Sequence, residues 1–204
     1  MPSDPVVQWA VAGVFAALSA HSVWRLATAR QVFVGLGYLF HLGMNLDMVA
    51  MVWPWWAQIP TLSQLGFFAV GAVFFASAAG WYAGDALPRG AAGDRRQLCC
   101  HHRDAPAQAA HAVMMLAMVW AVAVMSQMRH AGHGAHAAPL GSWTTGAGVL
   151  LAAALLVGGA LFLVYLSRHL RERGSVWDRN GADHVASALM SLGMVAMCGL
   201  MLSG

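Results

Sequence analysis

Thirteen methionines occur in this chain, and all but the initiator fall in three segments. Met44, Met48 and Met51 form the first group. Met114, Met115, Met118, Met125 and Met128 form the second, and Met190, Met194, Met197 and Met201 the third. A histidine precedes each group inside an otherwise apolar stretch: His41, His111 and His184. Thioether and neutral imidazole are the side chains that suit Cu(I), a soft ion, better than Zn, Mg or Ca. Three parallel His/Met stripes would make a copper site or a copper path. The expected ligands are His41, Met44, Met48, His111, Met114, Met118, His184, Met190 and Met194.

The spacing supports stripes. Positions 41, 44, 48 and 51 step by three, four and three, which puts four side chains on one helical face. His41-x2-Met44-x3-Met48 repeats as His111-x2-Met114-x3-Met118. The third copy departs, with Ser187 three residues before Met190 and His184 one turn earlier. Methionine is also a flexible filler of packed cores. A generic filler would not avoid three equally apolar segments, however, and intramembrane histidines are costly and usually functional. Asp47 is the one acid in the middle of an apolar run. It is read as pairing with a histidine or arginine of another helix, as a partner that orients a metal-bound imidazole, or as a proton relay. It points about one hundred degrees away from Met48, which argues against direct ligation.

Two further tracts carry metal-binding residue types. Met125 to His136 combines M-x2-M with His130-x2-His133-x2-His136, a loop able to capture copper at the mouth of a path or simply a solvated, low-complexity segment. Cys99-Cys100-His101-His102 does not have the C-x2-C spacing of a zinc or redox site. It reads as a loop with incidental ligands or as a point of exchange with a copper donor or acceptor protein. His21 and His169 are weaker candidates, the latter expected at the lipid headgroups.

The elements that must position these residues are membrane helices. Charged residues are only 9% of the chain and hydrophobic ones 59%, against about 25% charged in soluble domains. The sequence predicts one all-α membrane domain over 1–204, an integral bundle of six transmembrane helices. The spans are expected at about 6–27, 32–53, 62–84, 106–128, 143–167 and 183–203. Arginines crowd the first, third and fifth connections: Arg25 and Arg30; Arg89, Arg95, Arg96 and Arg103; Arg168, Arg171, Arg173 and Arg179. The second connection is uncharged and the fourth has only Arg129. This places both termini outside a cytoplasmic membrane. The net charge of +3 reflects that topology, and no basic-aromatic motif points to nucleic acid. The Met-Pro-Ser-Asp-Pro start lacks a positive leader, so the first span reads as a retained helix. Trp53, Trp55 and Trp56 suit an interfacial aromatic belt. Cys99, Cys100 and Cys198 form no disulfide framework.

With H-x2-M-x3-M on two of its apolar helices, the chain resembles the small bacterial membrane proteins grouped as domain-of-unknown-function family 5134. The residues that carry the likeness are His41, Met44, Met48, His111, Met114 and Met118, with His184, Met190 and Met194 as a diverged third copy. The resemblance implies a multi-spanning protein of the cytoplasmic membrane and supplies no activity. Copper handling or transport is the function expected. The alternatives are a haem electron carrier with two axial histidines and a copper-dependent membrane oxidase. Against haem, the sequence shows no evident pairing of two histidines at matched depth on one helix pair. Oligomer formation is left open, and no nucleophile–base pair or phosphate loop is present.

Overall fold

In lipid, backbone N–H and C=O groups must bond within their own segment, so long apolar runs become helices. The computed structural model describes residues 5–86, 104–131, 141–173, 175, 176 and 178–203. Among these it has six α-helices: α1 (Pro5–Thr28), α2 (Val32–Met51), α3 (Thr61–Ala86), α4 (Ala105–Ala131), α5 (Ser142–Arg173) and α6 (Arg179–Ser203). All six are long and apolar enough to cross a membrane. The fold is an all-α, multi-pass membrane bundle. Its outer surface agrees: Val6, Leu62, Val149, Leu150, Val157 and Trp143 are exposed, and so broad an apolar exterior suits lipid rather than water.

The helix ends differ from the expected spans where a helix outlasts the apolar run. α5 continues six residues past the predicted end, through Arg168 and Arg171 to Arg173. Helical hydrogen bonding does not stop at the hydrocarbon boundary, and these long side chains suit the interface. α2 stops at Met51 for a local reason. Pro54 follows, and Trp53 before it is extended, with φ −109° and ψ 147°, as a residue preceding proline tends to be. A short 3-10 helix, Pro54–Gln58, then turns the chain into α3. Two serines inside α1 bond to their own helix: Ser19 Oγ donates to the Phe15 carbonyl at 2.8 Å and Ser22 Oγ to that of Leu18 at 2.9 Å.

Consecutive helices pack as three hairpins, α1/α2, α3/α4 and α5/α6. The hairpins meet along four seams: α2 against α3, α4 against α5, α6 against α1, and α4 against α6. The even helices lie innermost. Of their apolar windows 44%, 61% and 39% is buried for α2, α4 and α6, against 28%, 33% and 22% for α1, α3 and α5. The first three of these seams pair a glycine with an aromatic ring. A Cβ at Gly43 would run into Phe67. One at Gly148 would lie 2.5 Å from Trp120, and one at Gly193 2.7 Å from Phe15. Small residues allow this close helix approach in lipid, where hydrophobic exclusion between helices is absent.

Candidate metal centre

The inner helices put their methionines in the core. Met44, Met114, Met115 and Met118 are fully buried, Met48 and Met51 are 1% exposed, and Met190 and Met194 are 3% and 2%. Above this thioether layer, toward the arginine-rich end, His41 of α2 meets His111 of α4. His41 Nε2 and His111 Nδ1 are 3.1 Å apart. The outer helices clamp the pair between aromatic faces. Phe75 of α3 stacks on His41, with centroids 5.4 Å apart and planes at 17°. Phe162 of α5 stacks on His111 at 5.2 Å and 28°. Neither imidazole can swing away without displacing a buried ring.

A cavity of about 10 Å³ adjoins the pair, with His41, His111, Ser187 and Met190 in its wall. That is room for one water-sized occupant. The geometry suits an ion. At metal–nitrogen distances of about 2.0 Å, donors separated by the observed spacing subtend about 100° at the ion, close to a tetrahedral angle. Met190, a residue with a thioether, also lines the cavity. Among the described residues no group of three or more His, Cys, Asp or Glu side chains is placed to hold a metal. The available donor set is two imidazoles with sulfur, which selects for soft ions.

The third histidine is placed elsewhere. His184 packs 5.7 Å from the Tyr165 ring and 6.0 Å from that of His169, both on α5. Ser187, not His184, occupies the position on α6 that matches His41 and His111. The expectation that no two histidines pair at matched depth is overturned by the contact of His41 with His111. His169 is buried, and its Nε2 lies 2.7 Å from Asp178 Oδ1. Asp47 takes neither a histidine nor an arginine: the Trp56 indole N–H donates to its Oδ1 at 2.9 Å. Trp56 is therefore 2% exposed, while Trp55 remains at the surface. His133, His136 and Cys99 to His102 lie outside the described residues, as does the side chain of His130.

Sequence reasoning missed the polar wall of the cavity. Asp183 of α6 is 5% exposed and gathers three partners from α1 and α2. Arg25 Nη2 donates to Oδ2 at 2.7 Å, the Tyr38 hydroxyl donates to the same oxygen at 2.9 Å, and His21 Nε2 lies 3.0 Å from Oδ1. Arg25 Nε also donates to the Tyr38 oxygen at 2.9 Å. The network ties three helices from two hairpins beside the histidine pair. Its signal was available: an arginine near the end of one apolar run and an aspartate near the start of another, both at the arginine-rich end.

Fold and site together define a multi-pass helical membrane protein with a buried histidine–methionine core. The chain belongs to the family described as Domain of unknown function (DUF5134), which matches residues 34–201 and so takes in both histidines and all three methionine groups. It is similar to uncharacterised proteins of Mycobacterium bovis and Mycobacterium tuberculosis, 28% identical over 127 residues, which is 62% of this chain and 53% of each relative. The match thus spans about half the length of those relatives. No solved structure matches.

Proposed function

We propose that this protein binds copper, as Cu(I), at the His41–His111 pair, and that it handles or transports the ion across a cytoplasmic membrane with both termini outside. One observation carries the reading: two imidazole nitrogens 3.1 Å apart share a cavity wall with Met190 above a layer of buried thioethers. Thioethers bring no proton to displace, and the Phe75 and Phe162 rings cover the two imidazoles. The two imidazoles share one hydrogen bond without metal. Both nitrogens become donors when the bonding proton moves to the other nitrogen of its own ring. The methionines from Met44 to Met48, Met114 to Met118 and Met190 to Met194 then give a line of weaker soft donors leading away from the pair. The tract from His130 through His133 to His136 would serve to capture copper, and a copper donor or acceptor protein would be its partner.

Haem is the second reading, and the meeting of two histidines from facing helices favours it. Axial histidines stand on opposite faces of a porphyrin, whereas these two nitrogens are within hydrogen-bonding distance and the adjoining cavity is water-sized, which favours the ion. Metal analysis of mildly purified protein, with a visible spectrum, tests both. Copper in near-integral ratio without a Soret band supports the proposal. An intense Soret band refutes it, and a copper-dependent oxidase would add turnover of a reductant.

A further inference from the structure

Two guanidiniums share one indole where α1 meets α6. Trp24 of α1 is 46% exposed, beside Val23, which is exposed as well. Arg25 and Arg179 each hold the guanidinium carbon 5.9 Å from the centre of its ring. The two cations are used differently. Arg25 directs its N–H groups inward, Nη2 to Asp183 at 2.7 Å and Nε to the Tyr38 oxygen at 2.9 Å. Arg179, the first residue of α6, is exposed and makes no hydrogen bond or ion pair among the described residues. Its neighbour Asp178 is turned instead to His169 and to the Gly181 N–H. A guanidinium stacked on a ring keeps its N–H edges available to a planar set of oxygens. The indole N–H of Trp24 makes no bond among the described residues either.

We propose that Trp24 and Arg179 bind the phosphate of an anionic phospholipid, and that this lipid clasps α1 to α6. Arg179 supplies the charge and the paired N–H donors that a phosphate accepts. Trp24 adds a donor on an apolar body, the combination suited to the headgroup layer. Basic sites between membrane helices recognise anionic headgroups in this way. A zwitterionic headgroup would bring an ammonium too, and the two carboxylates nearest in the chain are engaged. Asp178 bonds to His169 and Gly181. Asp183 is 5% exposed and holds Arg25, Tyr38 and His21. The lipid would join the first hairpin to the third from outside, as Asp183 joins them from within. The reading is independent of copper.

The full chain, purified in mild detergent and stripped of lipid, is titrated separately with phosphatidylglycerol, phosphatidylcholine and inorganic phosphate. Mass spectrometry of the intact complex reads what stays bound, and thermal unfolding reads the clasp. Phosphatidylglycerol should bind more tightly than phosphatidylcholine and raise the melting temperature. Arg179→Gln should lower its affinity about fivefold, the effect of one basic residue at an anionic membrane surface, and Trp24→Leu should lower it as well. Arg171→Gln, at an exposed arginine of the same end that stacks on no ring among the described residues, should leave it unchanged. Equal retention of the two lipids overturns the site. So does an equal loss in Arg171→Gln and Arg179→Gln, because the general field of the arginine-rich end would then suffice. Inorganic phosphate that binds as tightly and depends on Arg179 shows a free-anion site and overturns the lipid assignment. Binding without a rise in melting temperature overturns the clasp. The comparison of lipids on the unaltered chain decides the matter even if no substituted protein folds.

Discussion

His111 and His41 each pack against three rings: His111 against His41 at 4.4 Å, Phe75 at 5.3 Å and Phe162 at 5.2 Å, and His41 against His111, Phe75 at 5.4 Å and Tyr38 at 6.4 Å. A side chain fixed by packing keeps its donor aimed, and preorganised ligands bind more tightly. His111→Ala should therefore weaken Cu(I) binding at least tenfold, about 1.4 kcal/mol. Met201→Leu, at the far end of the third stripe, should leave it unchanged. Competition with a Cu(I) chelator under argon measures both. Asp183 bears on stability. Asp183→Ala leaves Arg25 with a buried charge and no counterion, a loss of about 3–5 kcal/mol. Tyr38→Phe removes the hydroxyl's bonds to these two charged partners but leaves them paired with each other, a loss of about 1.5–3 kcal/mol. Thermal unfolding in detergent should rank the two in that order; a smaller effect for Asp183→Ala would show that the network adds little. None of these partners was legible from local spacing. His21 and Asp183 are 162 residues apart and His41 and His111 are 70 apart, so their meeting depends on helix register.

Elements were easier to read than contacts. The six helices were legible because each needs only an unbroken apolar run, and the inward turn of the methionine stripes followed from their absence on α1, α3 and α5. The seams were not legible, since a glycine in a membrane helix does not announce which ring it will meet. Gly193→Leu should push Phe15 off α6 and destabilise by about 1–3 kcal/mol, as overpacking does. Gly66→Ala, with nothing within 4 Å of the added carbon, should be neutral or slightly stabilising. Equal melting temperatures for the two would argue against the seam. The start of α6 offers a second test. Asp178 Oδ1 accepts from the Gly181 backbone N–H at 2.9 Å, a cap on the first turn. That bond, followed by the one from His169, holds the Asp178 carboxyl below its usual range. Its stabilising effect is thus present above the unfolded carboxylate pKa and fades as pH falls through the lower folded value. Asp178→Ala should cost about 1 kcal/mol near neutrality and progressively less in acid, read from unfolding curves across pH.

At the scale of the molecule, three hairpins enclose a core of methionines and histidines, and the Arg25–Asp183 cluster sits at its arginine-rich end. The orientation proposed for that bundle puts Cys99 and Cys100 inside. An impermeant thiol reagent applied to intact cells should leave them unlabelled, and ready labelling would reverse the topology. The central claim is that the His41–His111 pair, and not the methionine packing as such, holds the metal. The most direct test is anaerobic Cu(I) titration of the unaltered chain and of the combined His41→Ala, His111→Ala variant, each against a competing chelator. The account predicts that the unaltered chain keeps its tightest equivalent while the variant, still folded by circular dichroism, surrenders it. Equal retention by the two would mean that the histidines are not ligands, and that the methionine stripes fill a core instead of lining a copper site.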